Sequence, residues 1–485
     1  MRLRVIACLA FVLTAFATPS AQPAADAVRI RAFNSVAISP DGTRVVSVET
    51  PDLGPASNEL PRPAIVVRTL ASNARVDLGC PTTTACRLGS PVWSPRGDRI
   101  AYLVRLPKTN ESAGWTAAAN GSGAKAWLYG YKGVLGSPRW SPDGTSLAVL
   151  ATANALKETG ATQAGAALVG DIGAVKSADV QRIAVVDARG TLRYESPGDL
   201  FVYEYDWIPN GRGFVATGAH GNGDNAWWTA KLYRIDAATA AATVLFSPPL
   251  QIDAPKVSAD GATVAFVGGI MSDFGSVGGD VFTIPLAGGA VTDVTPEMPA
   301  SANALSWAGR SDRIVFTALA GDASAIDTVD LATKTITSLW SAPETIVGDQ
   351  DLRVSLAQDG TTSAIVRETY ERAAEIYAGP LGTWRAITHD NDAVAAVTKA
   401  TSVAWTNEGY RVQGWLLAPL RAASGKRPMV VEIHGGPSAA STPRFVGRGT
   451  DRDLLAAGYY LFLPNPRGSF GQGERFTAAN VKDFG

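Results

Sequence analysis

One turn, built on Ser-Pro-Asp-Gly, recurs along most of the chain and limits what it can fold into. It runs through "VAISPDGTRVVSV" from Val36, "PVWSPRGDRIAYL" from Pro91, "PRWSPDGTSLAVL" from Pro138 and "YDWIPNGRGFVAT" from Tyr205. Three looser copies follow: "PKVSADGATVAFV" from Pro255, "LSWAGRSDRIVFT" from Leu305 and "RVSLAQDGTTSAIV" from Arg353. Each copy has a short strand, a turn and an apolar strand. Proline presets φ, Asp or Asn bonds its own backbone, and Gly takes the φ > 0 position. The turns begin at 39, 94, 141, 208, 258, 308 and 357. That spacing is close to one four-stranded propeller blade of about 40 to 50 residues. Seven copies predict an all-β, seven-bladed β-propeller over residues 28–395. A sandwich would not need one turn motif at steady spacing. The widest interval holds a small-residue insertion, residues 157–179, expected as a long loop. Trp93, Trp140, Trp207 and Trp307 recur in phase with the turns, which reads as blade packing rather than ligand binding.

Composition agrees. Of 485 residues, 46% are hydrophobic and 18% charged, enough for large cores and too little charge for disorder. The 49 Gly and 29 Pro suit a chain rich in turns. Net charge is −1 with no block of like charges, so nothing suggests a nucleic-acid partner, which would call for a basic stripe.

The first residues, "MRLRVIACLAFVLTAFATPSAQPAADA", run from Arg2 and Arg4 through an apolar stretch, residues 5–17, to small residues. That is the order of a secretory signal peptide, expected over residues 1–25, with Ala15-Phe16-Ala17 one possible cleavage site. The apolar stretch is short for a bilayer span. Cys8 lies too early for a lipoprotein box. The expected location is the periplasm or the exterior, where Cys80 and Cys86 in "GCPTTTACRLG" can form a local disulfide. The other reading is two unpaired loop thiols. With no His or further Cys nearby, zinc is not indicated.

After the seventh copy the pattern changes. Residues 401–420 read as a β-hairpin turning at Asn407-Glu408-Gly409. "RPMVVEI" reads as a buried strand running into "HGGPSAASTPRF". "DRDLLAAGYYLFLPNPRGSFGQG" then gives a short helix stopped at Gly458, a buried strand at residues 459–463, and a Gly-rich loop. Residues 396–485 are therefore expected to open an α/β sheet.

A propeller followed by His434-Gly435-Gly436-Pro437 and then "NPRGSFGQGERF" resembles the prolyl oligopeptidase family of serine peptidases, nearest its bacterial acylaminoacyl-peptidase and dipeptidyl-peptidase-like branches. The resemblance implies an α/β-hydrolase domain whose nucleophile sits in a Gly-x-Ser-x-Gly elbow, followed by Asp and then His. No such elbow occurs here; Ser276 and Ser469 both lack Gly two residues earlier. His220, His389 and His434 all precede the place of the family's catalytic His. A hydrolase domain needs on the order of 200 residues, so the triad is expected beyond Gly485 and this chain alone is expected to be inactive.

By the same resemblance, the Gly436 N–H is the expected oxyanion donor and His434 a residue of that loop. Arg467 either braces its turn or lines a substrate pocket. Ser469 is not expected to be a nucleophile. Glu204 is a speculative anchor for a peptide's free amine; a solvated strand-edge glutamate is the plainer reading. Trp227 and Trp228 read as packing. No P-loop, dinucleotide fingerprint, His-Glu-x-x-His or Cys-x-x-Cys appears, so no cofactor or metal is indicated. The expected partners are short peptides, with no membrane span once the signal is removed. The rival reading is a non-catalytic periplasmic propeller, a binding module or pseudoenzyme.

Overall fold

The computed structural model describes residues 29–52, 62–80, 86–155, 180–221, 223–420 and 425–483. The stretch read as a signal peptide and the insertion at 157–179 lie outside them.

Each repeat forms the first hairpin of an antiparallel unit, and the turn chemistry explains why. In the first copy the Ser39 hydroxyl donates to Asp41 at 2.5 Å, and the same carboxylate accepts the Thr43 N–H at 3.0 Å. Ser39 Oγ in turn accepts the Arg44 N–H at 2.9 Å. Ser94 with Asp98, Ser141 with Asp143 and Ser258 with Asp260 repeat the serine–carboxylate bond. Gly42, Gly97, Gly144, Gly211, Gly261, Gly309 and Gly360 all hold φ between 68° and 75°, the left-handed region that side chains resist.

Residues 32–78, 200–246, 251–293 and 301–342 each form a four-stranded sheet in chain order. Residues 87–194 form a seven-stranded sheet because β1, Lys125–Trp140, serves twice. Its residues 125–132 pair with Glu111–Ala118, and its residues 133–140 pair with Leu147–Ala153. In the sheet of residues 345–386 the innermost strand is split into Thr345–Val347 and Ser355–Leu356.

Consecutive sheets pack face to face. Ile65 and Val67 meet Ile100 and Tyr102; Leu150 and Ile183 meet Leu200 and Phe214; Val315 and Ile326 meet Ile346 and Ile365. The last sheet returns to the first, with Ala364 and Val366 against Ile38 and Val45, so the sheets close a ring. Among the described residues, closure uses no exchanged strand. It rests on this packing, helped by Val36 N–H to the Gly348 carbonyl and Ile38 N–H to Ser355 Oγ, both 3.0 Å. The in-phase tryptophans add to it. Trp93, Trp140, Trp207 and Trp307 donate their indole N–H to the carbonyls of Ala37, Val92, Arg139 and Lys256, each in the preceding repeat, at 3.0 to 3.4 Å.

The chain then builds a second, mixed sheet from β2 (Thr398–Asn407), β3 (Tyr410–Pro419), β4 (Met429–Val431) and β5 (Tyr460–Asn465), in the order β2-β3-β5-β4. The β2–β3 turn places Glu408 and Gly409 at φ 51° and 80°, the two positive values of a tight hairpin. Strand β5 runs antiparallel to β3 and parallel to β4. Helix α1 (Thr450–Ala456) seats Leu455 against Leu417 and Leu461, and Gly458 ends that turn at φ 90°. The "RPMVVEI" run differs from its reading as a buried strand. Only three of its residues pair, and Met429, Val431 and Ile433 are exposed, because among the described residues nothing packs on that face.

This sheet sits on one face of the ring. It meets the starts of inner strands, at Ile30 and Ser301, and the ends of second strands, at Ile270, Gly321 and Glu368. The Ser-Pro-Asp-Gly turns lie at the other ends of those strands, on the opposite face.

Candidate functional site

Two adjacent parallel strands release their loops side by side at their carboxyl ends, where α/β sheets usually bind ligands. Here those loops are residues 432–441 after β4 and 466–473 after β5. They are cross-linked. His434 Nε2 lies 2.9 Å from Ser469 Oγ, and His434 Nδ1 lies 2.8 Å from the Gly435 carbonyl. With Nδ1–H donating to that carbonyl, Nε2 is left to accept. The Ser469 hydroxyl also lies 2.6 Å from the Pro466 carbonyl, so its one proton serves two acceptors. Ser469 is buried, and among the described residues no carboxylate touches His434 Nδ1. The pair fastens one loop to the other and has none of the orientation of a nucleophile and its base.

Asn465 fixes the same loop from below. Its carbonyl oxygen accepts the Ser441 N–H at 2.7 Å, and its amide donates to Gln413 at 2.8 Å. Gly436 stands at φ 131°, and a Cβ there would come within 2.9 Å of the Ser438 nitrogen. Both Gly435 and Gly436 are exposed, and among the described residues their N–H groups meet no acceptor.

The ring holds the loops from the other side. Ser272 and Ser276 both donate to the Ser438 carbonyl, at 2.8 and 2.7 Å. Phe470 N–H bonds the Ala439 carbonyl at 2.9 Å, and its ring lies against Gly278. Gly471 N–H bonds Ser301 Oγ at 2.9 Å. Helix α2 (Glu474–Thr477) brings Glu474 to the Ile270 N–H at 3.3 Å. Sequence reasoning missed Ser272, Ser276 and Glu474. Their partners lie more than 160 residues away in the chain, and no local pattern marks them.

Arg467 pairs with Asp483 at 3.1 Å and Glu408 at 3.4 Å. Glu204 lies on an inner strand of the ring, away from these loops. It accepts from Ala254 N–H at 3.0 Å and Thr217 Oγ1 at 3.3 Å, and its carboxyl is hydrogen-bonded to Asp253. Burial pushes the pKa of both groups up, and the Glu204 charge adds to this at Asp253. Cys80 and Cys86 are joined by a disulfide, with Cα atoms 5.9 Å apart. Trp227 is buried beside Phe274, and Trp228 is half exposed. Among the described residues no helix is long and apolar enough to cross a membrane.

A closed ring of antiparallel sheets carrying a mixed sheet on one face is the β-propeller architecture of certain peptidases. The solved structure of Pyrococcus horikoshii acylaminoacyl peptidase matches with a TM-score of 0.70 at 18% identity, over 94% of this chain and 68% of that one. A puromycin-hydrolyzing peptidase of Mycobacterium tuberculosis matches with a TM-score of 0.64 at 16% identity, over 94% of this chain and 70% of that one. At such identities the likeness establishes the fold. No protein-family model matches the chain. Among curated proteins, dipeptidyl-peptidase 5 of Schizosaccharomyces pombe is 35% identical over 78 residues, 16% of this chain and 11% of that protein. The uncharacterized peptidase YuxL of Bacillus subtilis is 31% identical over 122 residues, 24% of this chain and 18% of that protein. These matches span less than a fifth of the relatives' length. Both of these curated matches are to peptidases, and the solved structures that share this fold are peptidases as well.

Proposed function

We propose that the chain is the seven-bladed propeller, residues 28–395, and the opening of the α/β-hydrolase domain, residues 396–485, of an exported serine peptidase. In this reading it acts on short peptides, in the manner of dipeptidyl or acylaminoacyl peptidases. Counting β1 twice gives seven four-stranded units, which supports the blade number. The N-terminal pattern and the Cys80–Cys86 disulfide support export to an oxidising compartment.

One observation carries the reading: two exposed glycine N–H groups that meet no acceptor among the described residues, at the carboxyl end of β4, in a loop held by Ser469, Asn465 and the ring. Acyl transfer places negative charge on a carbonyl oxygen. A preorganised N–H donor there stabilises the transition state by roughly 3 to 4 kcal/mol. Gly436 N–H is the donor, and His434 holds its loop. The Ser, Asp and His of the triad lie outside these residues, the serine attacking the peptide carbonyl with His as base.

Reading the coding DNA past the codon for Gly485 tests this. An open frame encoding Gly-x-Ser-x-Gly, then Asp, then His supports the peptidase. The longer product should cleave a dipeptidyl or acylaminoacyl chromogenic substrate that the 485-residue chain leaves intact. A stop codon there would instead favour a propeller that binds and does not cut.

A further inference from the structure

Among the described residues, the innermost strand of the last ring sheet is interrupted. Residues 348–354 leave it between Thr345–Val347 and Ser355–Leu356. Asp351 at their tip accepts from Arg139 Nη2 at 2.5 Å and from Lys256 Nζ at 2.7 Å. Gln350 Nε2 donates to the Pro138 carbonyl at 2.9 Å. Pro138 and Arg139 belong to the third repeat and Lys256 to the fifth, whereas the segment precedes the seventh. A side chain of the last sheet that touches only its neighbours would meet the sixth and first units. Reaching the third and fifth together requires crossing the central channel.

The segment is built to stay there. The Asp349 carboxylate accepts the N–H groups of Asp351 and Leu352, at 2.9 and 3.1 Å, which sets the bend. Leu352 and Val354 are buried with Ile326 and Ile365 and anchor its return. Arg353 bonds Asn303 of the sheet before it at 3.0 Å. Asp206 adds a second carboxylate to Arg139 at 3.8 Å. Burial opposes the charge on Asp351, and Arg139 and Lys256 outweigh it, holding the carboxyl well below its usual range. On the turn side a cavity of about 360 Å³, lined by Pro40, Trp93 and Pro95, ends against Asp349 and Asp351.

We propose that residues 348–354 are a strap barring the ring's channel, held by Asp351 between Arg139 and Lys256. A peptide would then reach the space beneath the mixed sheet past that sheet, and could not thread through the ring from the turn face. The barrier itself needs no catalytic activity; that its cargo is peptide rests on the peptidase reading.

Hydrogen exchange on the full chain tests the strap without any substrate, so its failure is distinct from failure of the peptidase reading. Strap amides should exchange at least tenfold more slowly than the exposed hairpin turn at Glu408–Gly409. Exchange as fast as that turn would overturn the proposal. In Asp351→Asn, strap exchange should rise at least tenfold while the turn at residues 39–43 is unchanged. Should that variant fail to fold, Lys256→Gln decides: it keeps the Arg139 pair and should give a smaller rise in the strap alone. A folded variant of either kind whose strap stays as slow as wild type would show that the ion pairs do not hold it.

Discussion

His434 Nε2 and Ser469 Oγ meet at 2.9 Å, joining loops that leave two adjacent parallel strands. The contact is one of the tethers that position the glycine loop. Ser469→Ala removes it and leaves the Pro466 carbonyl with the Ser469 N–H alone. The expected loss is about 1–2 kcal/mol in urea unfolding. A double-mutant cycle with His434→Phe should show coupling of about 0.5–1.5 kcal/mol. Strictly additive losses would mean the two residues do not act together.

Gly436→Ala should be costly for a different reason. At φ 131° the backbone is one that side chains avoid, and the new Cβ would meet the Ser438 nitrogen at 2.9 Å and Ser272 Oγ at 3.1 Å. The loop must shift, which disturbs the two serine bonds to the Ser438 carbonyl. We expect a loss of about 1–3 kcal/mol. Gly409→Ala, at φ 80° in an open hairpin turn with nothing within 4 Å, serves as a control for strain without collision. Equal losses at both sites would remove the collision from the account.

The tryptophan ladder predicts a third outcome. Trp307→Phe keeps most of the apolar bulk and deletes the N–H that serves the Lys256 carbonyl at 3.0 Å. Trp307 is buried, so that carbonyl loses a partner water cannot replace. The cost should be about 1 kcal/mol. Trp228→Phe, at a half-exposed position, should change nothing measurable. Thermal unfolding of the two variants beside wild type distinguishes an in-phase structural role from a general aromatic one.

What the sequence discloses and what it hides divide by distance along the chain. A Ser, Asp and Gly within six residues close their own hairpin, so the repeats can be read directly and the ring follows from their spacing. The glycine loop after β4 is visible for the same reason. Asp351 binds residues 212 and 95 positions away, and nothing in "VGDQDLRV" announces a crossing of the ring. The strand at "RPMVVEI" illustrates the complementary limit. Its apolar run marks a β-strand, which forms over Met429–Val431, but which face is covered depends on other segments of the fold. Glu204 reads on paper like any strand-edge acid, and only the folded ring shows the Asp253 carboxyl against it.

Acidity where the mixed sheet meets the ring gives the last prediction. Burial raises Glu474 to about 7, with the Asp293 charge adding to it, and burial raises Asp280 to about 7, with Asp293 and Glu474 adding to it. One Glu474 oxygen accepts the Ile270 N–H; the other is buried and meets no partner among the described residues. In the unfolded chain both groups titrate near 4. Between about pH 4 and pH 7 the folded state therefore holds more protons than the unfolded one. The stabilisation is complete below the unfolded values and is lost as pH rises through the folded ones. Lowering pH from 8 to 5.5 should raise the unfolding temperature. Glu474→Gln keeps an acceptor for Ile270 and needs no proton, so it should stabilise the chain at pH 8 by about 1–2 kcal/mol, after allowance for solvent screening. It should do little at pH 5. A variant that follows the wild-type pH curve in parallel would show that Glu474 ionises freely at that contact.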